Sequence, residues 1–110
     1  MIRALFTTTI GLATLGAAGQ DTLQVQVHGT VVDATTGIPL LETLVEWYDG
    51  DGHRQAVNRT NNEGNYAFII RTTGALELRV AENGYRTFVQ RMTVAPGETA
   101  HEFTIRLIPK

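Results

Sequence analysis

The side chains best equipped for chemistry here are three histidines, His28, His53 and His101, and two oxygen-rich turns, Asp49-Gly50-Asp51-Gly52 and Asn61-Asn62-Glu63-Gly64-Asn65. A zinc centre needs imidazoles or carboxylates at short, regular spacing, and these histidines are far apart with no such interval. A calcium loop needs oxygens at alternate positions and a closing glutamate. After Asp49 the required later oxygens are missing, and residue 60 is Thr. The turn chemistry of Asn, Asp and Gly accounts for both segments. General-base catalysis needs a base beside a positioned partner, and no such pair is recognisable. We therefore expect no catalytic residues, no metal and no cofactor.

A binding site remains. Sugar sites present an aromatic face beside polar groups, and Tyr48 with Glu46 two residues away would lie on one strand face, opposite Trp47. One ring should enter the core and the other meet solvent. The candidate ligand or partner contacts are accordingly Tyr48, Glu46, Asp51, His53, Asn61 and Asn62. Asn58-Arg59-Thr60 is also a glycosylation sequon, which matters only in a eukaryotic secretory pathway.

These residues sit on strands. After residue 20 the apolar positions alternate with period two and turn residues recur every 8–12 positions, the pattern of an all-β sandwich. Val25, Val27, Gly29 and Val31 share one face of a first strand that ends at Asp33. A second strand over residues 43–49 turns Val45 and Trp47 inward. Asp49-Gly50-Asp51-Gly52 should form a tight primed-turn hairpin into a short third strand over 53–58. Tyr66, Phe68 and Ile70 face inward from the fourth, and Leu76, Leu78 and Val80 from the fifth, with Glu77 and Arg79 outward. Asn83-Gly84 is a second hairpin signal. Phe88, Met92 and Val94 line one side of the sixth strand, with Val89 on the other. A seventh carries Phe103, Ile105 and Leu107 inward. A one-residue slip of any strand would carry its apolar set into water, so register should be firmly fixed. Leu78→Asp should then be severe and Arg79→Asp mild.

Composition narrows the function further. The 110 residues allow one domain, and the chain has nine basic and eleven acidic residues for a net charge of −2. Lys110 is its single lysine, and no basic stripe marks a nucleic-acid or anionic-lipid partner. No cysteine is present, so neither a disulfide framework nor a lipoprotein anchor is available. Residues 1–19 read as a signal peptide: Arg3 is the charged start, 4–15 an apolar stretch diluted by threonines, and Gly16-Ala17-Ala18-Gly19 the small residues a signal peptidase accepts. The apolar run is shorter than the roughly 20 residues a membrane span needs. We expect a domain at 20–110, secreted or periplasmic, with no span after cleavage.

Three ordered segments carry a family resemblance. Residues 27–40, with Gly29, Asp33 and Thr36-Gly37-Ile38-Pro39-Leu40, then Val45 and Trp47, form the first. Thr60-Asn61-Asn62-Glu63-Gly64-Asn65-Tyr66-Ala67-Phe68 is the second, and Gly74 through Val80 with Gly84-Tyr85 the third. Together they resemble the carboxypeptidase regulatory-like family over about residues 24–108. The resemblance implies a seven-stranded, transthyretin-like Greek-key sandwich that folds, docks or presents, with no catalytic residues to carry over. It points to an unidentified protein partner or a cell-envelope component, with a glycan as the alternative through similarity to starch-binding sandwiches. Hydroxyisourate hydrolases of the transthyretin-like group carry a histidine three residues before the corresponding Asp and a Tyr-Arg-Gly-Ser terminus. Here those places hold Thr30 and Leu107-Ile108-Pro109-Lys110. Hydrolase activity is not expected.

Overall fold

A computed structural model describes residues 24–110, so the expected leader and its cleavage point lie outside the described residues. The described chain contains eight strands and no helix: β1 (Val25–Asp33), β2 (Leu44–Asp49), β3 (Arg54–Arg59), β4 (Asn65–Ile70), β5 (Gly74–Val80), β6 (Phe88–Val94), β7 (Ala100–Glu102) and β8 (Ile105–Leu107). They form two packed sheets. In the first, β1 is central, antiparallel to β4 on one side and parallel to β7 and then β8 on the other. The second is antiparallel throughout in the order β3-β2-β5-β6.

The alternating pattern places the core where the sequence puts it. Val25, Val27, Val31, Tyr66, Phe68, Ile70, Ile105 and Leu107 from the first sheet meet Val45, Trp47, Leu76, Leu78, Val80 and Val94 from the second. Val27 stands opposite Phe68, and Trp47 opposite Leu78. Each such side chain, fully buried, contributes about 1.5–3 kcal/mol. This sum makes a slipped register untenable.

Three expectations need correction. The single seventh strand is two strands, β7 and β8, interrupted at Phe103-Thr104. The cause lies in β1. Gly29 has no side chain, and the Phe103 carbonyl occupies that space: a Cβ on Gly29 would stand 1.8 Å from the Phe103 oxygen. The Phe103 N–H donates to the His28 carbonyl at 2.9 Å, and the Tyr66 hydroxyl donates to the Phe103 carbonyl at 2.6 Å. The chain is drawn across Gly29 here, and Phe103 is only half-buried.

The Asp49–Gly52 turn is also not a two-residue primed turn. Of its two glycines only Gly52 has positive φ, at 84°. The Gly52 N–H donates to the Asp49 carbonyl, and the Asp49 N–H to the His53 carbonyl, closing a three-residue loop with a bulge. The Asp49 carboxylate stabilises this wider turn by accepting the N–H groups of Asp51 at 3.0 Å and His53 at 2.9 Å. Thirdly, Asn83-Gly84 does lie in a hairpin between β5 and β6, but the ladder closes at Val80 opposite Phe88, so the connection is longer than a two-residue turn.

The sheets differ in width. At any level the first has three strands, since β7 and β8 succeed each other along β1, whereas the second has four. The β3–β4 side is closed, with the Asn58 side chain accepting the Ala67 N–H at 3.1 Å. On the other side β6 faces only the interrupted β7–β8 edge. Its inward residues Phe88, Gln90 and Met92 are therefore half-buried, and Val94 alone is fully buried.

Candidate functional site

The registers bring the loop of residues 34–43 and the loop of residues 60–64 to one end of the sandwich, together with the chain's last residues. Residues 50–53 lie at the other end of β2. A six-residue strand separates the two ends by roughly 20 Å. The expected contact residues are thus divided: Asn61 and Asn62 at the first end, and Glu46, Tyr48, Asp51 and His53 on the second sheet's outer face or at the second end.

The first end is built from side chains that fix backbone. Asp33, closing β1, accepts the N–H groups of Thr35 and Thr36 on one carboxylate oxygen, at 2.7 and 2.9 Å. Its other oxygen accepts the Tyr85 hydroxyl at 2.8 Å. These donors, the Thr36 N–H first and the Tyr85 hydroxyl next, hold the Asp33 carboxyl below the usual range. The same contact pushes the Tyr85 hydroxyl up. Thr60, 2% exposed, is the second anchor. Its hydroxyl donates to the Leu40 carbonyl at 2.7 Å and accepts the Thr43 N–H at 2.8 Å. Its backbone N–H and carbonyl bond Thr43 and Glu42.

Gly64 completes the joint. Its φ of 78° suits glycine, and a Cβ there would stand 2.9 Å from both Pro39 Cβ and the Val31 carbonyl. Glu42 adopts φ of 55°, a left-handed conformation uncommon for a side-chain-bearing residue. Held this way, the loop leaves Ile38 61% and Leu41 54% exposed. Asn61 is a turn residue whose side-chain oxygen accepts the N–H groups of Glu63 and Asn65. Asn62 stands exposed beside it.

The outer face of the second sheet carries a charged lattice. Cross-strand pairing sets Arg54, Tyr48, Glu77 and Arg91 in one row and Val57, Glu46, Arg79 and Val89 in the next. Glu46 bonds Arg54 at 2.9 Å and accepts the Tyr48 hydroxyl at 3.2 Å. Glu77 bonds Arg79 and lies 3.3 Å from Arg91. The Arg79 guanidinium sits 3.9 Å from the centre of the Tyr48 ring. Arg79 and then Arg91 lower the Glu77 carboxyl against a smaller opposing effect of burial.

Beside this lattice a shallow cleft of about 120 Å³ is lined by Tyr48, Asp49, Glu77, Arg79 and Arg91 among others. Acceptor atoms of Asp49, Asp51 and His53 come within 4.8 Å of one another. Asp49, however, already accepts two backbone N–H groups and the Gln55 amide, at 3.0 Å. The His53 N–H lowers its carboxyl most.

The sequence places Tyr48 beside Glu46 and turns Glu77 and Arg79 outward. It does not show that Arg79 covers Tyr48, because that contact depends on which strand lies next to β2. Asp33, Thr60 and Tyr85 belong to the recognised motifs, yet their shared role in fixing one end of the sandwich emerges only from the fold.

The family profile of the carboxypeptidase regulatory-like domain matches residues 26–108. The chain belongs to this family. In this regulatory-like domain the motif residues do structural work: Gly29, Asp33, Thr60, Gly64, Tyr66 and Tyr85 each fix a backbone contact. No curated protein matches the sequence. Solved structures do resemble the regulatory-like domain. Hydroxyquinol 1,2-dioxygenase from Pseudomonas putida is 12% identical, with a TM-score of 0.64 over 83% of this chain and 58% of that one. BcpA, the major pilin subunit of Bacillus cereus, is 10% identical, at 0.67 over 79% and 30%. A candidate carbohydrate-binding protein from Bacteroides uniformis is 14% identical, at 0.60 over 77% and 41%. The domain therefore spans little more than half of the first of these chains and less of the others. At such identities the likeness concerns the fold alone.

Proposed function

We propose that this regulatory-like domain is a non-catalytic interaction module that works outside the cytoplasm and docks through the loop end built on Asp33 and Thr60. The observation that carries this reading is the exposure of Ile38 and Leu41 on a hydrogen-bonded loop. Their loop is tied by Asp33, Thr60 and Gly64, so exposing these apolar side chains is a feature of a fixed surface. A preorganised apolar surface loses little conformational entropy when a partner covers it. The leader-like residues 1–19 and the pilin among the structural neighbours support a place in the cell envelope or beyond it.

The test is site-specific photo-crosslinking in the producing cell. A crosslinker at Leu41 should trap one discrete partner, whereas one at Asp51, at the far end, should not. Equal trapping at both positions, or none at Leu41, overturns the reading.

Glycan binding at Tyr48 is the competing reading, and two observations weigh against it. Arg79 lies over the ring that would stack on a sugar. The adjoining cleft, about 120 Å³, is below the roughly 300 Å³ at which ligand pockets begin. A sugar panel followed by Trp47 fluorescence should give no saturable change. Saturable quenching would restore the glycan reading.

A further inference from the structure

Two sheets leave four strand edges, and three of them are blunted. The β3 edge has a register shift opposite the Trp47–Tyr48 step, where Gln55 falls out of pairing, and carries Arg54 and Arg59. The β4 edge adjoins β3 and has its Ala67 N–H occupied by Asn58. The third edge is broken into the three-residue strands β7 and β8.

The β6 edge is longer and more regular than these. It runs seven residues, pairs with β5 in unbroken register from Val80–Phe88 to Gly74–Val94, and contains no proline, glycine or acidic residue. Its one occupied edge group is the Arg91 carbonyl, which accepts the Gln90 side-chain amide at 2.8 Å, a contact that an added strand would displace. Beneath this edge Phe88 and Met92 remain half-buried, and the half-buried Phe103 ring centre is 6.2 Å from that of Phe88. An added strand would find both a backbone ladder and an uncovered apolar strip.

We propose that the β6 edge accepts an extended segment of another protein, one alternating apolar and acidic residues, as a fifth strand of the second sheet. Backbone pairing supplies the attraction, and alternate apolar side chains cover Phe88 and Met92. Charge selects the acidic partner. Arg86 and Arg106 line a small cleft with Phe88 and Ile108 at the start of the edge, and among the described residues neither is in an ion pair. Arg91, in mid-edge, is 86% exposed. A second copy of this chain fits poorly. A two-fold contact through β6 would set this arginine-bearing edge against itself, and like charges across strands are destabilising. The edge begins beside the loop end proposed above and runs away from it, and Ile38 and Leu41 do not line its cleft, so either surface can fail without the other.

The probe is an eight-residue peptide alternating valine with glutamate, compared with its lysine counterpart in NMR titrations of the ¹⁵N-labelled full chain. The glutamate peptide should shift amides of residues 86–94, and the lysine peptide should leave them in place. Thr93→Pro removes an edge N–H on the same outward side as the Arg91 carbonyl, and proline is tolerated there. It should abolish the shifts while the β5–β6 amides keep their dispersion. Reversing Arg86 and Arg106 to Glu should weaken glutamate-peptide binding about tenfold, since each exposed charge contact carries under about 1 kcal/mol. Shifts on β3, β4 or the loop end, equal binding of the lysine peptide, or no shift with either peptide overturns the proposal. So does sedimentation showing a dimer that Thr93→Pro dissociates.

Discussion

Replacing Gly29 with alanine should be among the most damaging single-methyl additions in this domain. The added Cβ would stand 1.8 Å from the Phe103 oxygen and 2.7 Å from its carbonyl carbon, and both are backbone atoms that no rotamer change can clear. The Phe103–Thr104 segment must therefore move. It then loses the Tyr66 hydroxyl bond at 2.6 Å and the Phe103 N–H bond to His28 at 2.9 Å. Overpacking costs about 1–3 kcal/mol and each of the two lost hydrogen bonds about 1 kcal/mol, so the expected loss is at least about 3 kcal/mol. For a domain of this size that lowers Tm by roughly 12–24 °C.

Urea and thermal unfolding, followed by circular dichroism and Trp47 fluorescence, measure the loss. A double-mutant cycle sharpens it. Tyr66→Phe alone should cost about 1 kcal/mol, but almost nothing in the Gly29→Ala background, where its acceptor has already moved. A Gly29→Ala chain within about 0.5 kcal/mol of the parent, or an additive cycle, would refute this account of the split strand.

Leu78→Asp, which places a charge at a position with no exposure, should cost more than about 4 kcal/mol and leave the chain unfolded by circular dichroism. Arg79→Asp should be milder, yet not neutral as its outward facing alone suggests, because it sets a third carboxylate beside Glu46 and Glu77; Arg79→Ala should stay within about 1 kcal/mol. Thr60→Val leaves the Leu40 carbonyl and Thr43 N–H without their partner and should cost about 2–3 kcal/mol, with hydrogen exchange rising first at residues 41–43. Asp33 is held below its ordinary pKa, so its stabilisation is full above about pH 4 and disappears as pH falls through the lowered value. Asp33→Asn should therefore lower the urea midpoint at pH 6, and the gap from the parent should narrow in acid. A gap that persists unchanged to pH 2 would contradict the assignment.

Much of the fold is legible from period two alone. Val25, Val27 and Val31, Val45 and Trp47, Tyr66, Phe68 and Ile70, and Leu76, Leu78 and Val80 all enter the core as the alternation requires. That reading succeeds because each strand's two faces meet opposite environments. It falters at β7–β8, where the interruption comes from Gly29 and Tyr66, both remote in sequence. It also misjudges β6, whose inward face is half-buried because the opposite sheet is one strand narrower. At the candidate sites, Tyr48 and Glu46 are neighbours by simple parity. The Arg79–Tyr48 contact and the joining of loops 34–43 and 60–64 depend on strand order, which no local pattern encodes. The Asp49 turn is wider than its glycines alone imply because the Asp49 carboxylate also holds the N–H groups of Asp51 and His53.

The position of β1 has a consequence for how the domain comes into being. The second sheet grows from hairpins, β2 with β3 and β5 with β6, each closed within a short stretch of chain. The first sheet is organised around the opening strand, whose parallel neighbours β7 and β8 are the last to be made. A chain delivered from its N-terminus cannot complete that sheet until nearly all of it has arrived, since such distant pairing carries its closure entropy first. Val27 and Val31 wait unpaired on their β7–β8 side until His101 and Ile105 appear. For any chain that emerges N-terminus first, that ordering acts as a built-in delay: the domain locks only once its last strands have emerged.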